Sequence, residues 1–553
     1  MRLLNTSTEL LEEFIDTSVP PYAILSHTWG DGEVSLKDMT TDPAYKSKLG
    51  YTKISMTCQL AREDGLQYAW IDTCCIDKSS SAELSEAINS MYQWYKKAEK
   101  CYAYLFDLDS TPTWRKRLPQ CRWFSRGWTL QELIAPMDVW FYDGKWNLVF
   151  RKGEDSHLLK RITGIHQDVL KGSRSMLSMS IAQRMSWASR RVTTRAEDEA
   201  YCLLGIFDVN MPMLYGEGRK AFFRLQEEII RISPDLSIFA WTSKKPPGDD
   251  EQAPVACSMF ASATDDFAES GTFVAVNAQS TNDFSISNQG IKVHTRLALQ
   301  KVPRQQGYRY VMKVCKTIDG RVFGIRLRKC GVSQLVREDP WVLIGEENTF
   351  PSMQSRIMYL LNRLPPAHAP NYLLESIVLG SRSRVLQIDL PPEMYINNVW
   401  PWSRWDVTDQ TFFVSDDLGL DCAGFRVFGG YDFDPLRRGE RSKFSFMVYV
   451  WKWSRNGDRP MTEPEFTLVP WTASDTSLKD LNEKLEQYEY NSTMLQADFE
   501  TYRVRVAKNV HFPFEKRRLV SARCAFNLVN DWSKCSEPFW KMTLFVEASG
   551  DGF

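Results

Sequence analysis

Trp128 and Glu132 are spaced to share one face of a helix, and together they could form a ligand site. They lie in the stretch Trp-Phe-Ser-Arg-Gly-Trp-Thr-Leu-Gln-Glu-Leu at residues 123–133, which we interpret as a turn at residues 125–127 followed by a short helix. Side chains four residues apart point the same way on a helix. An indole can stack on a flat base or pyridine ring, and a carboxylate can bind hydroxyl groups or oppose a developing positive charge. The alternative is an ordinary amphipathic helix with a core tryptophan and a solvated glutamate.

Residues 1–150 have the pattern of an α/β domain that would position this helix. Four apolar runs have the length and composition of buried strands: residues 22–26, 68–72, 101–106 and 138–142. Between them lie a helical pattern at residues 54–61 and a capping box, from Ser80 to Glu83, that opens a second helix. Strands that alternate with helices indicate a parallel sheet covered on both faces.

Several polar and aromatic side chains follow the ends of these predicted strands. In parallel sheets, ligands bind beyond the carboxyl ends of the strands, so Ser26, His27, Trp29 and Asp72 are candidates for one rim. Ser26 could hydrogen-bond a ribose or phosphate, and Asp72 could bind a ligand or cap the next turn. His27 is either a catalytic base or a loop histidine with a local hydrogen bond. Arg126 could hold a phosphate or lie on the surface at the start of a helix.

Three blocks of this region resemble the signature blocks of the fungal heterokaryon-incompatibility (HET) domain. They are Tyr-Ala-Ile-Leu-Ser-His-Thr-Trp-Gly at 22–30, Trp-Ile-Asp-Thr-Cys-Cys-Ile-Asp at 70–77 and Arg-Gly-Trp-Thr-Leu-Gln-Glu-Leu at 126–133. They follow the order and separations of that family, and the resemblance covers residues 1–145. Three positions depart from its pattern: His27 stands where tyrosine is frequent, and Asp77 and Lys78 stand where asparagine and glutamine are frequent. Residues 187–218 resemble the segment that comes after the domain in many large fungal proteins.

A more distant similarity, to TIR domains, bears on mechanism. It consists of Leu25-Ser26 at the end of the first strand and of Trp-Thr-Leu-Gln-Glu-Leu ahead of an aromatic strand. TIR domains are flavodoxin-like, and several cleave NAD with a glutamate four residues after a tryptophan. The resemblance implies a flavodoxin/TIR-like fold, NAD as a possible substrate with no resident cofactor, Glu132 as the catalytic acid and Trp128 as a pocket wall. It also implies self-association into a homo-oligomer on activation and cell death on non-self recognition.

Two other functions stay open on the sequence. The domain could be a non-enzymatic module that signals death through contacts between copies, in which case Glu132 is structural. Alternatively, Cys74 or Cys75 could be a nucleophile with His27 as its base. A nucleophilic cysteine needs a base in reach and a lowered pKa, whereas adjacent cysteines after a strand are more often packed.

Residues 151–235 have helical patterns and are expected to extend the first domain. A capping box from Thr194 to Glu197 predicts the start of one helix, and a later helix has an apolar face that ends at Ile232. The acids that follow Thr194 could be functional, but an arginine-paired helix start is the alternative. Gly216-Glu-Gly218 predicts a turn. It does not predict a phosphate-binding loop, because it lacks the spacing and the lysine that such a loop needs.

The remaining sequence predicts two β-rich domains, at 236–365 and 366–553, with a boundary in the proline-containing stretch 363–372. Short apolar runs predict the strands of an antiparallel sandwich or barrel: residues 236–241, 272–276, 290–297, 308–314, 322–327, 376–379, 444–451 and 540–546. One helix is predicted at 478–488. No catalytic pattern is present here, so the hypothesis for this half is a sensing, docking or autoinhibitory role, in which it could bind a protein partner.

The composition is typical of a cytoplasmic globular protein. Of the 553 residues, 68 are lysine or arginine and 69 are aspartate or glutamate, so neither a nucleic acid nor an anionic membrane is an expected partner. No secretory signal and no apolar window of roughly 18 residues is present. The 12 cysteines are therefore expected to be reduced thiols, and the lack of Cys-x-x-Cys pairs and histidine clusters predicts no zinc site.

Overall fold

The computed structural model describes the N-terminal part of the chain almost continuously and the C-terminal part through its strands. The described residues are 1–15, 18–244, 256–276, 284–288, 290–295, 297–301, 308–329, 334–346, 356–362, 383–390, 394–400, 405–406, 411–415, 422–431, 442–451, 465–470, 509–514, 518–529 and 539–549. The chain forms two compact units. The first comprises Met1–Gln300, Tyr310–Arg326 and Arg337–Arg363, and the second comprises Lys301–Arg309, Leu327–Val336 and Leu364–Phe553. The predicted boundaries near residues 150, 235 and 365 stay predictions.

A seven-stranded sheet forms the centre of the N-terminal region. Its strands are β1 (Arg2–Asn5), β2 (Leu11–Glu13), β3 (Tyr22–His27), β4 (Tyr68–Trp70), β5 (Lys100–Tyr104), β6 (Val139–Tyr142) and β7 (Leu148–Arg151), and their order is β2-β1-β4-β3-β5-β6-β7. The central strands β4, β3, β5 and β6 pair in parallel, whereas β1, β2 and β7 pair antiparallel. The α/β prediction is confirmed, but the sheet is mixed rather than wholly parallel.

The four predicted strands of this region are all present. β3 is buried along its whole length, as expected for the centre of a parallel sheet whose strands are near-continuous apolar runs. The sequence pattern does not predict β1 and β2, because these strands are short and carry charged residues. They lie at the edge of the sheet, where charged residues are tolerated.

Helices connect these strands and continue beyond them. The described α-helices are α1 (Leu36–Thr41), α2 (Tyr51–Glu63), α3 (Asp72–Cys75), α4 (Ser81–Lys97), α5 (Trp114–Arg117), α6 (Arg122–Ser125), α7 (Thr129–Ile134), α8 (Ser156–Thr163), α9 (Gln167–Leu170), α10 (Ile181–Ser186), α11 (Asp198–Tyr201), α12 (Leu204–Phe207) and α13 (Lys220–Ile232). Described 3₁₀ turns are Tyr45–Ser47, Leu118–Gln120, Met176–Ser178, Leu236–Phe239 and Thr264–Phe267. The Ser80 hydroxyl caps α4 by accepting from the Glu83 N–H at 3.3 Å, so the predicted helix start is confirmed.

The predicted capping box at Thr194 is wrong. α11 begins at Asp198, and α12 is a separate helix. The Glu197 carboxylate accepts from the backbone N–H groups of Gly216 and Gly218 at 2.7 and 3.0 Å, so it holds the predicted glycine turn instead of a helix end. The Thr194 hydroxyl accepts from Arg126 at 3.1 Å. Neither side chain is free to cap, and tertiary contacts therefore decide where this helix starts.

Two smaller expectations in this region also fail. Ile232 is 59% exposed at the end of α13, although most of the predicted apolar face of that helix is buried. Residues 236–241 are not a strand, because the Asp235 carboxylate accepts from the Ser237 N–H at 2.9 Å and caps the 3₁₀ turn Leu236–Phe239. A short apolar run of this kind does not by itself indicate whether the segment forms a strand or a helical turn.

Short strands follow between residues 256 and 360. They are β8 (Ala256–Cys257), β9 (Phe273–Val274), β10 (Phe284–Ser287), β11 (Gly290–Thr295), β12 (Leu297–Lys301), β13 (Tyr308–Thr317), β14 (Val322–Lys329), β15 (Gln334–Glu338), β16 (Ile344–Gly345) and β17 (Arg356–Leu360). Within the first unit the pairs β10–β11, β11–β17, β9–β13, β14–β16 and β8–β15 are antiparallel. The expected β-rich region is confirmed here.

The second unit contributes two further sheets. Their strands are β18 (Ser383–Asp389), β19 (Met394–Trp400), β20 (Trp405–Asp406), β21 (Thr411–Ser415), β22 (Cys422–Tyr431), β23 (Ser442–Trp451), β24 (Glu465–Pro470), β25 (Asn509–Phe514), β26 (Arg518–Val529) and β27 (Phe539–Ser549). The orders are β20-β21-β18-β27-β26-β25 and β19-β22-β23-β24, with β18–β27 the parallel pair. The predicted strands at 444–451 and 540–546 are present, whereas the predictions for 363–372, 376–379 and 478–488 lie outside the described residues.

Close packing of α12 on α4 gives a test of this fold. A Cβ built at Gly205 would lie 2.1 Å from the Cβ of Tyr92, an atom that cannot move aside without α4. We expect Gly205→Ala to lower the free energy of unfolding by about 1–3 kcal/mol, measured by thermal unfolding. Gly153→Ala is the matched control, because its added methyl meets nothing within 4 Å. A Gly205→Ala protein as stable as the control would contradict this packing.

Candidate functional site

A cavity of about 330 Å³ opens at the carboxyl edge of the parallel strands. Its walls come from the loop after β3, from α3 and α4, from α7, and from the segment that leads into α11. The lining residues are His27, Thr28, Trp29, Asp72, Ile76, Lys78, Leu84, Ile88, Met91, Arg126, Trp128, Thr129, Glu132, Thr194, Arg195, Asp198 and Tyr215. The strand ends therefore form a pocket where parallel sheets generally bind ligands.

Glu132 lies in this pocket with its carboxyl group almost fully enclosed. Only 6% of the residue is exposed. The Ser26 hydroxyl donates a hydrogen bond to Glu132 Oε2 and accepts one from the Trp123 indole N–H at 2.8 Å. The end of β3, the first half of α6 and the middle of α7 are thus joined through one hydroxyl group.

Burial raises the pKa of Glu132 to about 8, because a charged carboxylate is poorly solvated there. The hydrogen bond from Ser26 lowers the pKa, and the negative charge of Asp72 raises it further. The carboxyl group is therefore mostly protonated at neutral pH. A positive charge placed beside it would favour its ionised form.

A second carboxylate, Asp72, stands at the start of α3. Its Oδ2 accepts from the Trp29 indole N–H at 2.8 Å, while its Oδ1 is enclosed and has no hydrogen-bond donor among the residues that the structure describes. His27 Nδ1 lies 3.9 Å from that Oδ1. Burial and the positive charge of Lys53 lower the pKa of His27 to about 3, so this imidazole is neutral and does not form an ion pair with Asp72.

The opposite wall combines α7 with the helical extension. Asp198 accepts a hydrogen bond from the Tyr215 hydroxyl at 3.0 Å. This bond and one from the Trp128 indole each lower the pKa of Asp198. Burial nevertheless raises the pKa of Asp198. The Arg195 guanidinium lies 4.5 Å from the centre of the Tyr215 ring. Aromatic faces, carboxyl groups and cationic side chains thus surround the same space.

Arg191 connects α7 to the helical extension through hydrogen bonds. Its Nη1 donates to the Arg126 carbonyl and to the Thr129 hydroxyl, both at 2.9 Å, and its Nε donates to the Trp187 carbonyl at 3.2 Å. Gly127 donates to the Val192 carbonyl at 3.0 Å beside these bonds. The orientation of Glu132 therefore depends on residues more than fifty positions later in the chain.

The structure brings the sequence candidates together. His27, Trp29, Asp72, Arg126, Trp128 and Glu132 all line the cavity. Ser26 is wholly buried and contacts Glu132 through the hydrogen bond to its carboxyl group. Trp128 directly precedes α7 and has helical backbone angles, so its side chain and that of Glu132 line the same cavity, as the helical spacing predicts.

The sequence pattern does not single out Arg195 and Tyr215, and it offers Asp198 only as one of several acids at a helix start. The available signal was the density of charges after Thr194. Cys74 and Cys75 are buried residues of α3, and a hydrogen bond with Cys75 together with burial raises the pKa of Cys74 well above its usual range. This environment disfavours a thiolate nucleophile.

The buried carboxyl group predicts a pH-dependent effect on stability. A folded-state pKa near 8, above the ordinary 4.5, means that the folded protein binds this proton more tightly than the unfolded chain does. Its contribution is therefore lost as the pH rises from about 5 to above 8. We expect the melting temperature of Glu132→Gln, relative to the natural protein, to increase progressively over that interval.

Glu86→Gln is the matched control, since it makes the same replacement at an exposed position on α4. The measurement is thermal unfolding of the three proteins at a series of pH values. A pH-independent difference for Glu132→Gln would contradict the buried, protonated carboxyl group.

Comparisons with known proteins agree with the resemblance seen in the sequence. A family model described as Heterokaryon incompatibility protein (HET) matches residues 22–113, and one described as Domain of unknown function (DUF8212) matches residues 220–306. The vegetative incompatibility protein HET-E-1 of Podospora anserina is 49% identical over 221 residues, which are 38% of this chain but only 16% of that relative. Together with the three signature blocks, these matches identify this chain as a protein with a heterokaryon-incompatibility (HET) domain.

Proposed function

We propose that the N-terminal domain binds NAD or a closely related nucleotide, hydrolyses its nicotinamide–ribose bond, and thereby triggers cell death in heterokaryon incompatibility. The observation that carries this proposal is the buried Glu132 carboxyl group in a cavity with aromatic walls. Perturbed carboxyl groups in clefts are frequent at catalytic sites. The name of the Podospora relative, a vegetative incompatibility protein, supports the biological role.

The dimensions and lining of the cavity suit one end of such a nucleotide. Its volume of about 330 Å³ is near the lower limit for small-molecule pockets, which fits a nicotinamide ring and its ribose better than a whole dinucleotide. Trp29 and Trp128 offer ring faces for stacking. Arg126 and Arg195, also part of the lining, would meet the diphosphate at the mouth.

Cleavage would proceed through a positively charged ribose. The bond between the nicotinamide nitrogen and ribose C1′ breaks, its electron pair leaves with neutral nicotinamide, and an oxocarbenium-like sugar remains. The Glu132 carboxylate stabilises this charge, and Ser26 holds the carboxylate in place. Water then adds to C1′ and releases a proton, giving ADP-ribose. Because the bound pyridinium ring is itself a cation, it would favour the ionised form of Glu132 on binding.

The order of the central strands supports the proposed likeness to TIR domains. The strands follow the order β4-β3-β5-β6 in the sheet. This is the 2-1-3-4 order with which flavodoxin-like sheets begin. By the same likeness, copies of the domain would associate when activated, and the β-rich remainder would bind the partner that triggers activation.

Nicotinamide release from NAD by the purified full-length chain tests the hydrolase directly. We expect release to increase more steeply than in proportion to protein concentration. We further expect Glu132→Gln to lower kcat by at least about 100-fold, because a preorganised charge is lost. Glu86→Gln should retain the natural activity. Folded protein that releases no nicotinamide at any concentration would favour the non-enzymatic self-association module, and an active Glu132→Gln variant would remove Glu132 from the mechanism.

The pKa of Glu132 also predicts the pH profile. The carboxylate form is the active one, so kcat/KM for NAD should rise with pH and level off above about 8, since kcat/KM reports the free enzyme. Ser26→Ala removes a hydrogen bond that lowers this pKa, so its profile should move to higher pH. A profile that is flat between pH 5 and 9 would contradict the assignment.

A further inference from the structure

A lysine occupies the aromatic wall of the pocket. The Lys78 ammonium nitrogen lies 3.4 Å from the centre of the Trp29 ring, well within the range of a cation–π contact. Both residues line the cavity, and the same Trp29 ring donates its N–H to Asp72. The indole thus stands between a carboxylate at its edge and a cation on its face.

The surroundings of this contact favour a positive ligand. Asp72 and Asp198 contribute carboxyl groups to a cavity that Arg126 and Arg195 also line, and Glu132 adds a third that a bound cation would ionise. Among the described residues, Asp72 Oδ1 has no hydrogen-bond donor. Aromatic faces beside carboxyl groups are a recurrent means of binding organic cations. In the structure, the Lys78 ammonium supplies such a positive charge from within the chain.

We propose that this pocket is an aromatic–carboxylate cage for a flat organic cation, and that Lys78 is an internal occupant which the cationic ring of a ligand must displace from Trp29. The inference takes its ligand class, a pyridinium nucleotide, from the proposed function. Lys78 is exposed and has a long flexible side chain, so it can move into solvent when a ligand enters.

This arrangement would make the pocket selective for charge. A pyridinium ring replaces the ammonium group and restores a cation to the face of Trp29. A neutral ring of the same shape removes the ammonium without replacing its charge near Asp72. The preference for a cation then comes from Trp29 and the carboxyl groups. Lys78 sets a threshold for both rings, and a higher one for the cationic ring, because the displaced ammonium group still repels it.

Binding of two probes to the full-length chain tests this inference. The probes are 1-methylnicotinamide, a cation without phosphate, and neutral nicotinamide, with affinities measured by ligand-observed NMR titration. Lys78→Met keeps the apolar stem but vacates the Trp29 ring. We expect Lys78→Met to tighten binding of 1-methylnicotinamide by roughly three- to tenfold and to have a smaller effect on binding of nicotinamide. Lys78→Arg keeps the cation, so it should not tighten binding of 1-methylnicotinamide.

Arg126→Gln separates occupancy of the ring from charge alone. It removes one positive charge from the same cavity without vacating Trp29, and it should change the affinity for 1-methylnicotinamide by less than about twofold. Four outcomes would each overturn the cage. Arg126→Gln and Lys78→Met could have equal effects, or Lys78→Met could affect both probes equally. Lys78→Met could instead weaken binding of the cation, or the cation could bind to no variant. Cation binding without nicotinamide release from NAD would sink the hydrolase proposal and leave the cage intact.

Discussion

The hydrogen bond between Ser26 and Glu132 is the contact on which the candidate site depends. It joins the end of the buried strand β3 to helix α7, and the Trp123 indole completes it from α6. An acid enclosed in this way keeps its proton unless something nearby stabilises the charge. Burial therefore makes Glu132 respond to whatever enters the pocket, in a way that a solvated glutamate would not.

The pocket belongs to a longer stretch of chain than the matched domain. The HET family match ends at residue 113, whereas Glu132, Arg191, Asp198 and Tyr215 lie beyond it. Arg191 binds the first turn of α7 from a separate part of the sequence, and Glu197 holds the glycine turn that comes after Tyr215. The helical extension is consequently part of the wall of the site. Substitutions in the extension should therefore alter the pocket even when the sequence of the signature blocks is unchanged.

Local patterns predicted the parts of this fold that local physics determines. The apolar runs predicted the central strands because a strand buried on both faces needs near-continuous apolar residues, and their shared edge then located Ser26, His27 and Asp72. The role of Glu132 came from resemblance, since spacing alone also suits a solvated helix. Tertiary contacts decided the rest: Glu197 and Thr194 bind distant partners instead of capping a helix, Asp235 turns an apolar run into a 3₁₀ turn, and Tyr215 reaches the pocket from a turn with no chemical motif.

Difference infrared spectroscopy of the protein with and without a non-hydrolysable NAD analogue would reveal whether Glu132 ionises when a ligand binds. We expect a protonated-carboxyl absorption from Glu132 in the free protein at neutral pH, and its loss when the pyridinium ring binds. The same band should be missing from Glu132→Gln. A free protein without that band, or a band that persists in the complex, would contradict a buried acid that ionises beside a bound cation.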